Sequence, residues 1–169
     1  LEGMFDSVFE SLDEMGKDTL ILADALSEDQ ILASDEDDLA HDPHIWFSVE
    51  NWRDIAQHTA DYLSNLDPAN EADYQANAEN YLAELDELDD YINSRIEEVP
   101  EESRYLITAH DAFNYFGEDF DFEVVGIQGL NTKTEAGTGD IADLADFIVE
   151  NNIKAVFIES SVSDRNVSA

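Results

Sequence analysis

Tyr105-Leu106-Ile107-Thr108-Ala109-His110-Asp111-Ala112-Phe113, with Glu123-Val124-Val125-Gly126-Ile127 and Ala155-Val156-Phe157-Ile158 downstream, is the stretch on which the fold turns. Residues 105–108, 123–127 and 155–158 are short apolar, β-branched runs and read as strands. Between them, Asp111 to Glu118 and Asp140 to Asn151 carry helical spacing. A β-α-β-α-β order predicts a parallel sheet with right-handed crossovers. Ligands of such sheets bind beyond the carboxyl ends of the strands. Chemistry is therefore expected near residues 108–111, 128–138 and 159–163.

Upstream, the segment from Glu71 to Val99 has Tyr74, Ala78, Tyr81, Leu85, Leu88, Ile92 and Ile96 at spacings of three and four, with carboxylates on the outer face. A helix of about 28 residues is a rod of about 40 Å. That length suits a spine between two lobes. A coiled-coil seam is the alternative, but the stripe lasts only about four heptads and places aromatics at the seam. Ser48 to Leu66 reads as another helix, ended by Asp67-Pro68. Residues 4–16 carry a helical stripe of Met4, Phe5, Val8, Phe9, Leu12 and Met15, and Thr19-Leu20-Ile21-Leu22 reads as a strand. Residues 27–42 are acidic and irregular. Asp35-Glu36-Asp37-Asp38 lacks the central Gly and terminal Glu of an EF-hand, so a solvated loop is expected there.

The 169 residues include 42 Asp+Glu and 7 Lys+Arg, a formal net charge of −35. Seven scattered basic residues cannot track a phosphate backbone, which excludes nucleic acid as a partner. The same charge repels anionic membrane surfaces. Such acidity can signal disorder. Here 43% hydrophobic and 10% aromatic residues are arranged periodically, so a foldable core lies beneath the carboxylates. Molar salt shortens the Debye length to about 3 Å and screens the repulsion, which makes the charge a halophile's solvent adaptation. There is no cysteine, which excludes disulfides, thiol catalysis and thiolate metal sites within this chain.

Leu1 is not an initiator methionine, and no signal peptide or transmembrane run is present. Ser160-Ser161-Val162-Ser163-Asp164-Arg165 reads as the capped start of a helix whose body is missing. The chain is expected to be the middle of a longer protein.

The histidines are His41, His44, His58 and His110. A neutral imidazole is a borderline-soft ligand suited to zinc, manganese or iron. His110 directly follows a strand, where the sheet rule expects a ligand. His44 lies in Asp42-Pro43-His44-Ile45-Trp46, just ahead of a helix, on a loop whose approach Pro43 restricts. From position alone a histidine of this kind is more often a packed or hydrogen-bonding side chain than a ligand. His41 precedes His44 by three residues, a spacing with little geometric meaning outside a helix, and His58 reads as a mid-helix residue. Ser160 and Ser161 lack the Gly-x-Ser-x-Gly turn of a nucleophile elbow. Gly137-Thr138-Gly139 has neither a full dinucleotide fingerprint nor a P-loop lysine. Acid/base pairs carry no information in a chain so rich in carboxylates.

Taken together, Asp42-Pro43-His44-Ile45-Trp46-Phe47, the long helix, Thr108-Ala109-His110-Asp111-Ala112-Phe113-Asn114-Tyr115-Phe116, Gly126-Ile127-Gln128-Gly129 and Phe157-Ile158-Glu159-Ser160-Ser161-Val162 occur in order. This resembles the cluster A-I solute-binding proteins of metal ABC transporters, the zinc/manganese-binding family. The resemblance implies an α/β fold: two lobes of parallel sheet flanked by helices and joined by one long rigid helix, the first lobe incomplete and the second truncated. Residues 1–68 would be the C-terminal part of the first lobe, 69–100 the linking helix and 101–169 the N-terminal part of the second lobe. It further implies one Zn2+ or Mn2+ held as cargo between the lobes by four side chains and delivered to a membrane permease without catalysis. The carrier would be an extracytoplasmic, lipid-anchored, monomeric protein.

By motif, His44 matches the family's second ligand and His110 the third. The first would lie at or just before Leu1, and the fourth, acidic, beyond Ala169. Some manganese-binding members have Glu at the third position, so His110 keeps zinc open. Zinc-specific members often carry a His-rich acidic loop, and residues 27–42 hold only His41, a tilt towards manganese or mixed specificity. Asp42 and Asp111 are candidate partners that orient the rings, Asp111 being also a candidate cap for the next helix. Trp46 and Phe113 would supply dry walls or plain core. The rival functions are a metal-dependent hydrolase, which needs an open coordination position and a base, and an adhesin-like surface module of the same fold.

Overall fold

The computed structural model describes residues 6–34, 40–128 and 138–158. It divides into two compact units, Leu1–Ile31 with Ser48–Ile92 and Leu32–Phe47 with Asn93–Ala169.

In the first unit, α1 (Asp6–Glu14) realises the expected N-terminal helix, with Met4 and Phe5 outside the described residues. Thr19–Leu22 does not form the expected strand. No strand lies among the described residues of this unit to pair with it, and the backbone closes its hydrogen bonds locally. Asp24 N–H reaches Ile21 O at 3.1 Å and Leu26 N–H reaches Ala23 O at 3.0 Å, making a 3-10 turn at Leu22–Ala25. A second such turn, Glu28–Gln30, is locked by the Gln30 side-chain carbonyl, which accepts from both Ser27 N–H and Ser27 hydroxyl.

Helix α2 (Val49–Leu66) starts where Ser48 supplies an N-cap, its hydroxyl accepting Asn51 N–H at 3.3 Å. It stops at Asp67-Pro68, because proline cannot continue the helix. Helix α3 (Glu71–Ile96) has 26 residues, about 39 Å at 1.5 Å per residue. Trp52 Nε1 donates to Tyr81 OH at 2.9 Å and Gln57 Nε2 to Gln75 Oε1 at 3.1 Å, while Arg53 pairs with Asp86. These contacts run in opposite directions along the two helices, so α2 and α3 are antiparallel. Ile55, Ala60, Ala78 and Leu85 are buried. Tyr81 and Leu88 of the α3 stripe remain 42% and 44% exposed, so only part of that stripe is covered.

The second unit carries β1 (Tyr105–His110), α4 (Asn114–Phe120), β2 (Glu123–Gln128) and α5 (Thr138–Glu150). Strands β1 and β2 are parallel, in register from Tyr105↔Glu123 to His110↔Gln128. The expected third strand is reduced to one parallel bridge between Thr108 and Phe157. Phe157 N–H donates to Ile107 O at 2.7 Å and Ala109 N–H to Phe157 O at 3.1 Å. Flanked on both sides, β1 is the central strand, and Ile107 and Ala109 are 0% and 2% exposed. Both glycines that shape this unit are close-approach positions. A Cβ on Gly117 would sit 2.6 Å from Val124 Cγ2, and one on Gly126 would sit 2.5 Å from Asp111 Cα. Gly126 thus lets the turn after β1 lie directly on β2.

Residues 35–39, 129–137 and 159–169 lie outside the described residues. They include the acidic Asp35–Asp38 run, most of the expected ligand-facing segment 128–138, all of 159–163, and the helix start at Ser160. No helix among the described residues is long and apolar enough to cross a membrane.

Candidate metal centre

His110 ends β1, at the carboxyl edge of the sheet, and is 7% exposed. The Thr108 hydroxyl donates to His110 O at 2.8 Å, tying off the strand as the chain turns into Asp111. The space for that turn is what Gly126 provides.

His44 reaches the same place from the segment before α2. Pro43 fixes its own φ, and the Asp42 carboxylate folds over the turn. Asp42 Oδ1 accepts His44 N–H at 2.9 Å and pairs with His44 Nδ1 at 2.7 Å. The other carboxylate oxygen accepts Asn114 Nδ2 at 3.1 Å. Asp42 is 1% exposed and His44 3%. A 3-10 turn, Ile45–Phe47, follows, with Trp46 edge-on to the His44 ring at 5.4 Å and Phe47 packed on Phe113 at 4.3 Å. Trp46 thus lies against the His44 ring although it is 45% exposed, while Phe113 packs on Phe47.

The two histidines meet. His44 Nε2 and His110 Nε2 are 3.2 Å apart, the rings inclined at 75°. His41 is exposed and takes part in a backbone bridge to Ala33, and His58 sits within α2 in the other unit. No group of three or more His, Asp or Glu able to hold a metal ion occurs among the described residues.

The electrostatics separate the two neighbouring carboxylates. Burial acts to raise the Asp42 carboxyl, but hydrogen bonds from the His44 ring, the His44 N–H and Asn114 outweigh it and hold Asp42 below the usual range. An ionised carboxylate only accepts, so His44 Nδ1 carries the proton that faces it. Asp111 goes the other way. Burial, then the charge of Asp42, pushes its carboxyl up, and its Oδ1 is buried without a hydrogen-bond partner. Helix α4 begins after Phe113 with no side-chain cap, so Asp111 does not take the capping role left open for it.

Two imidazole nitrogens bound at about 2.05 Å to one tetrahedral zinc lie about 3.3 Å apart. The Nε2 separation of 3.2 Å, a hydrogen-bonding distance between the two rings, is also the spacing of two neighbouring ligands on one ion.

The sequence profile described as "ZnuA: Zinc-uptake complex component A periplasmic" matches residues 1–169. The chain belongs to this zinc-uptake component family. The manganese-binding lipoprotein MntA of Bacillus subtilis is 37% identical over 169 residues, all of this chain and 55% of the relative. The zinc-binding protein TroA of Treponema pallidum is 40% identical over 128 residues, 76% of this chain and 42% of the relative. The solved structure of periplasmic zinc-binding protein TroA from Treponema pallidum superposes with a TM-score of 0.90 at 34% identity, covering 99% of this chain and 60% of that one. The chain thus spans about half the length of the curated relatives it matches. The α/β class expected from sequence, with its parallel sheet and long helix, is that of the zinc-uptake component family, whose description is of a transport component and not of an enzyme.

Asn114 and Tyr115, quoted in the sequence motif without a role, both hydrogen-bond to Asp42. Tyr115 is 3% exposed and its hydroxyl donates to Asp42 O at 2.9 Å. The available signal was two adjacent hydrogen-bonding side chains opening the helix that follows His110.

Proposed function

We propose that this chain is part of the metal-capture component of an ABC importer, with His44 and His110 as two of the ligands of one Zn2+ or Mn2+ cargo ion. The observation that carries the reading is the 3.2 Å approach of two buried Nε2 atoms, one of them on a ring oriented by an ionised Asp42. Imidazole accepts both ions, and the Irving–Williams order favours zinc where geometry permits. The names of MntA and TroA, one manganese-binding and one zinc-binding, support this pair of cargoes. The remaining ligands come from outside the described residues, and the loaded protein delivers the ion to a membrane permease. An extracytoplasmic, lipid-anchored carrier accords with the lipoprotein names of relatives such as MntA. The surface charge of −35 is, on this reading, an adaptation to high salt laid over an ordinary lobed binding protein.

Metal titration of the full-length protein tests it. One-to-one binding of Zn2+ or Mn2+ is expected in the wild type and loss of it in both His44→Ala and His110→Ala. Unchanged stoichiometry and affinity in both variants would refute the reading.

A further inference from the structure

We propose that Asn114 and Tyr115 form a clamp that positions His44 through Asp42, holding its Nε2 towards His110 before any metal arrives. The clamp rests on the reading of His44 and His110 as ligands, and concerns how one of them is aimed.

The backbone around Leu32 and Asp42 carries the argument. Ala33 and His41 form an antiparallel bridge, and Asp42 N–H donates to Leu32 O at 3.0 Å. An antiparallel hydrogen-bonded pair would exchange a second bond, from Leu32 N–H to Asp42 O. Here the Tyr115 hydroxyl stands in that rung. It accepts Leu32 N–H at 3.1 Å and donates to Asp42 O at 2.9 Å. One phenol therefore satisfies two backbone groups that would otherwise be orphaned or would close on each other. The neighbouring residue grips the side chain of the same aspartate, Asn114 Nδ2 on Asp42 Oδ2 at 3.1 Å.

Asp42 is thus held by its N–H, its carbonyl and one carboxylate oxygen. The freedom left to the other oxygen is small, and that oxygen sets the His44 ring. The clamp also has a fixed origin. Asn114 and Tyr115 are the first two residues of α4, four and five positions beyond His110. The helix that follows one histidine grips the aspartate that aims the other. A partner that orients a metal-binding imidazole typically contributes 10- to 100-fold in affinity.

The experiment uses the full-length protein with Tyr115→Phe and Asn114→Ala. Zn2+ affinity is measured by chelator competition. The tautomer of His44 is read in the metal-free protein by long-range proton–nitrogen NMR, a signature that a merely structural tyrosine would not move. We expect about a 10-fold loss of Zn2+ affinity in Tyr115→Phe, with the Nδ1–H form of His44 no longer dominant. Asn114→Ala, which leaves the backbone rung in place, is expected to show the same tautomer change and a smaller loss, and decides the matter alone if Tyr115→Phe does not fold. Wild-type affinity and an unshifted His44 tautomer in the folded variants overturn the clamp. If instead His44→Ala binds Zn2+ like the wild type, the ligand assignment has failed, and the NMR result stands apart from it.

Discussion

His44 and His110 stand with their Nε2 atoms 3.2 Å apart although 66 residues separate them in the chain. One ring arrives on a proline-restricted turn, the other at the end of the central strand. Neither needs to travel for both to touch one ion. A ligand that binds the folded state alone stabilises it by about 2.7 kcal/mol when present at about 100 times its Kd. Zn2+ is therefore expected to raise the thermal midpoint of the full-length protein, reversibly on chelation, and to leave that of His44→Ala and His110→Ala unchanged. Scanning fluorimetry with and without metal checks it.

Asp42 and Asp111 should give stability opposite dependences on pH. The folded Asp42 carboxyl titrates below its ordinary 3.8, so its contribution is fully present above that value and is lost as pH falls through the lower folded pKa. Replacing it by Ala removes the acceptor of the His44 ring and of Asn114, and is expected to cost about 2–3 kcal/mol at pH 7. Asp111 titrates above 3.8 in the folded state. Its cost is absent at lower pH, sets in as pH rises through 3.8 and is complete above the folded pKa. Asp111→Asn should therefore stabilise the metal-free protein at pH 7 by about 1 kcal/mol and not at pH 3. Urea midpoints at the two pH values separate the two behaviours.

Gly126 is the position at which a single methyl group should disrupt the site from behind. A Cβ there would meet the Asp111 backbone at 2.5 Å from Cα and 2.7 Å from N, and backbone cannot step aside as a side chain can. We expect Gly126→Ala to cost about 3 kcal/mol and to displace the turn carrying His110. Denaturant melts report the first effect. A lower Zn2+ affinity well below the unfolding midpoint reports the second, and a melt identical to wild type would count against the close approach.

Salt should matter unusually. With 42 carboxylates and 7 basic residues, the folded chain repels itself. Screening shrinks the Debye length from about 10 Å at 0.1 M to about 3 Å at 1 M. Raising KCl across that range is expected to lift the thermal midpoint by about 5 °C or more. A midpoint that is flat or falls would show that the charge is not a salt adaptation.

The parallel pair Tyr105–His110 and Glu123–Gln128, and the helices between and before them, were legible because short continuous apolar, β-branched runs and stripes of period 3.6 sit where the elements form. Thr19–Leu22 misled for a physical reason. An apolar run becomes a strand only beside another strand, and composition carries no information about neighbours. The run at 155–158 shows the same limit more mildly, with only Phe157 engaging β1. In the candidate site, position alone left the two histidines open, and it was the family resemblance that singled them out and made Asp42 a candidate partner for a ring; the Asp42–His44 contact is present. The inserted Tyr115 rung could not be read from the sequence, because it depends on where Leu32 and Asp42 lie in space, 83 and 73 residues from the hydroxyl they share. The orphaned oxygen of Asp111 was hidden likewise, since burial of a carboxylate is a property of packing.

The turn of Asp42-Pro43-His44 has a further consequence. Its aspartate and histidine are two residues apart, and both hydrogen bonds between them close within that tripeptide. A contact so local has almost no loop to close, and proline removes much of the torsional freedom that remains. Closing that contact costs little chain entropy, but what holds Asp42 in place comes from Asn114 and Tyr115, 72 and 73 residues away. On the proposed reading both rings therefore wait for the first turn of α4, which follows the strand ending in His110 and grips the aspartate that aims His44.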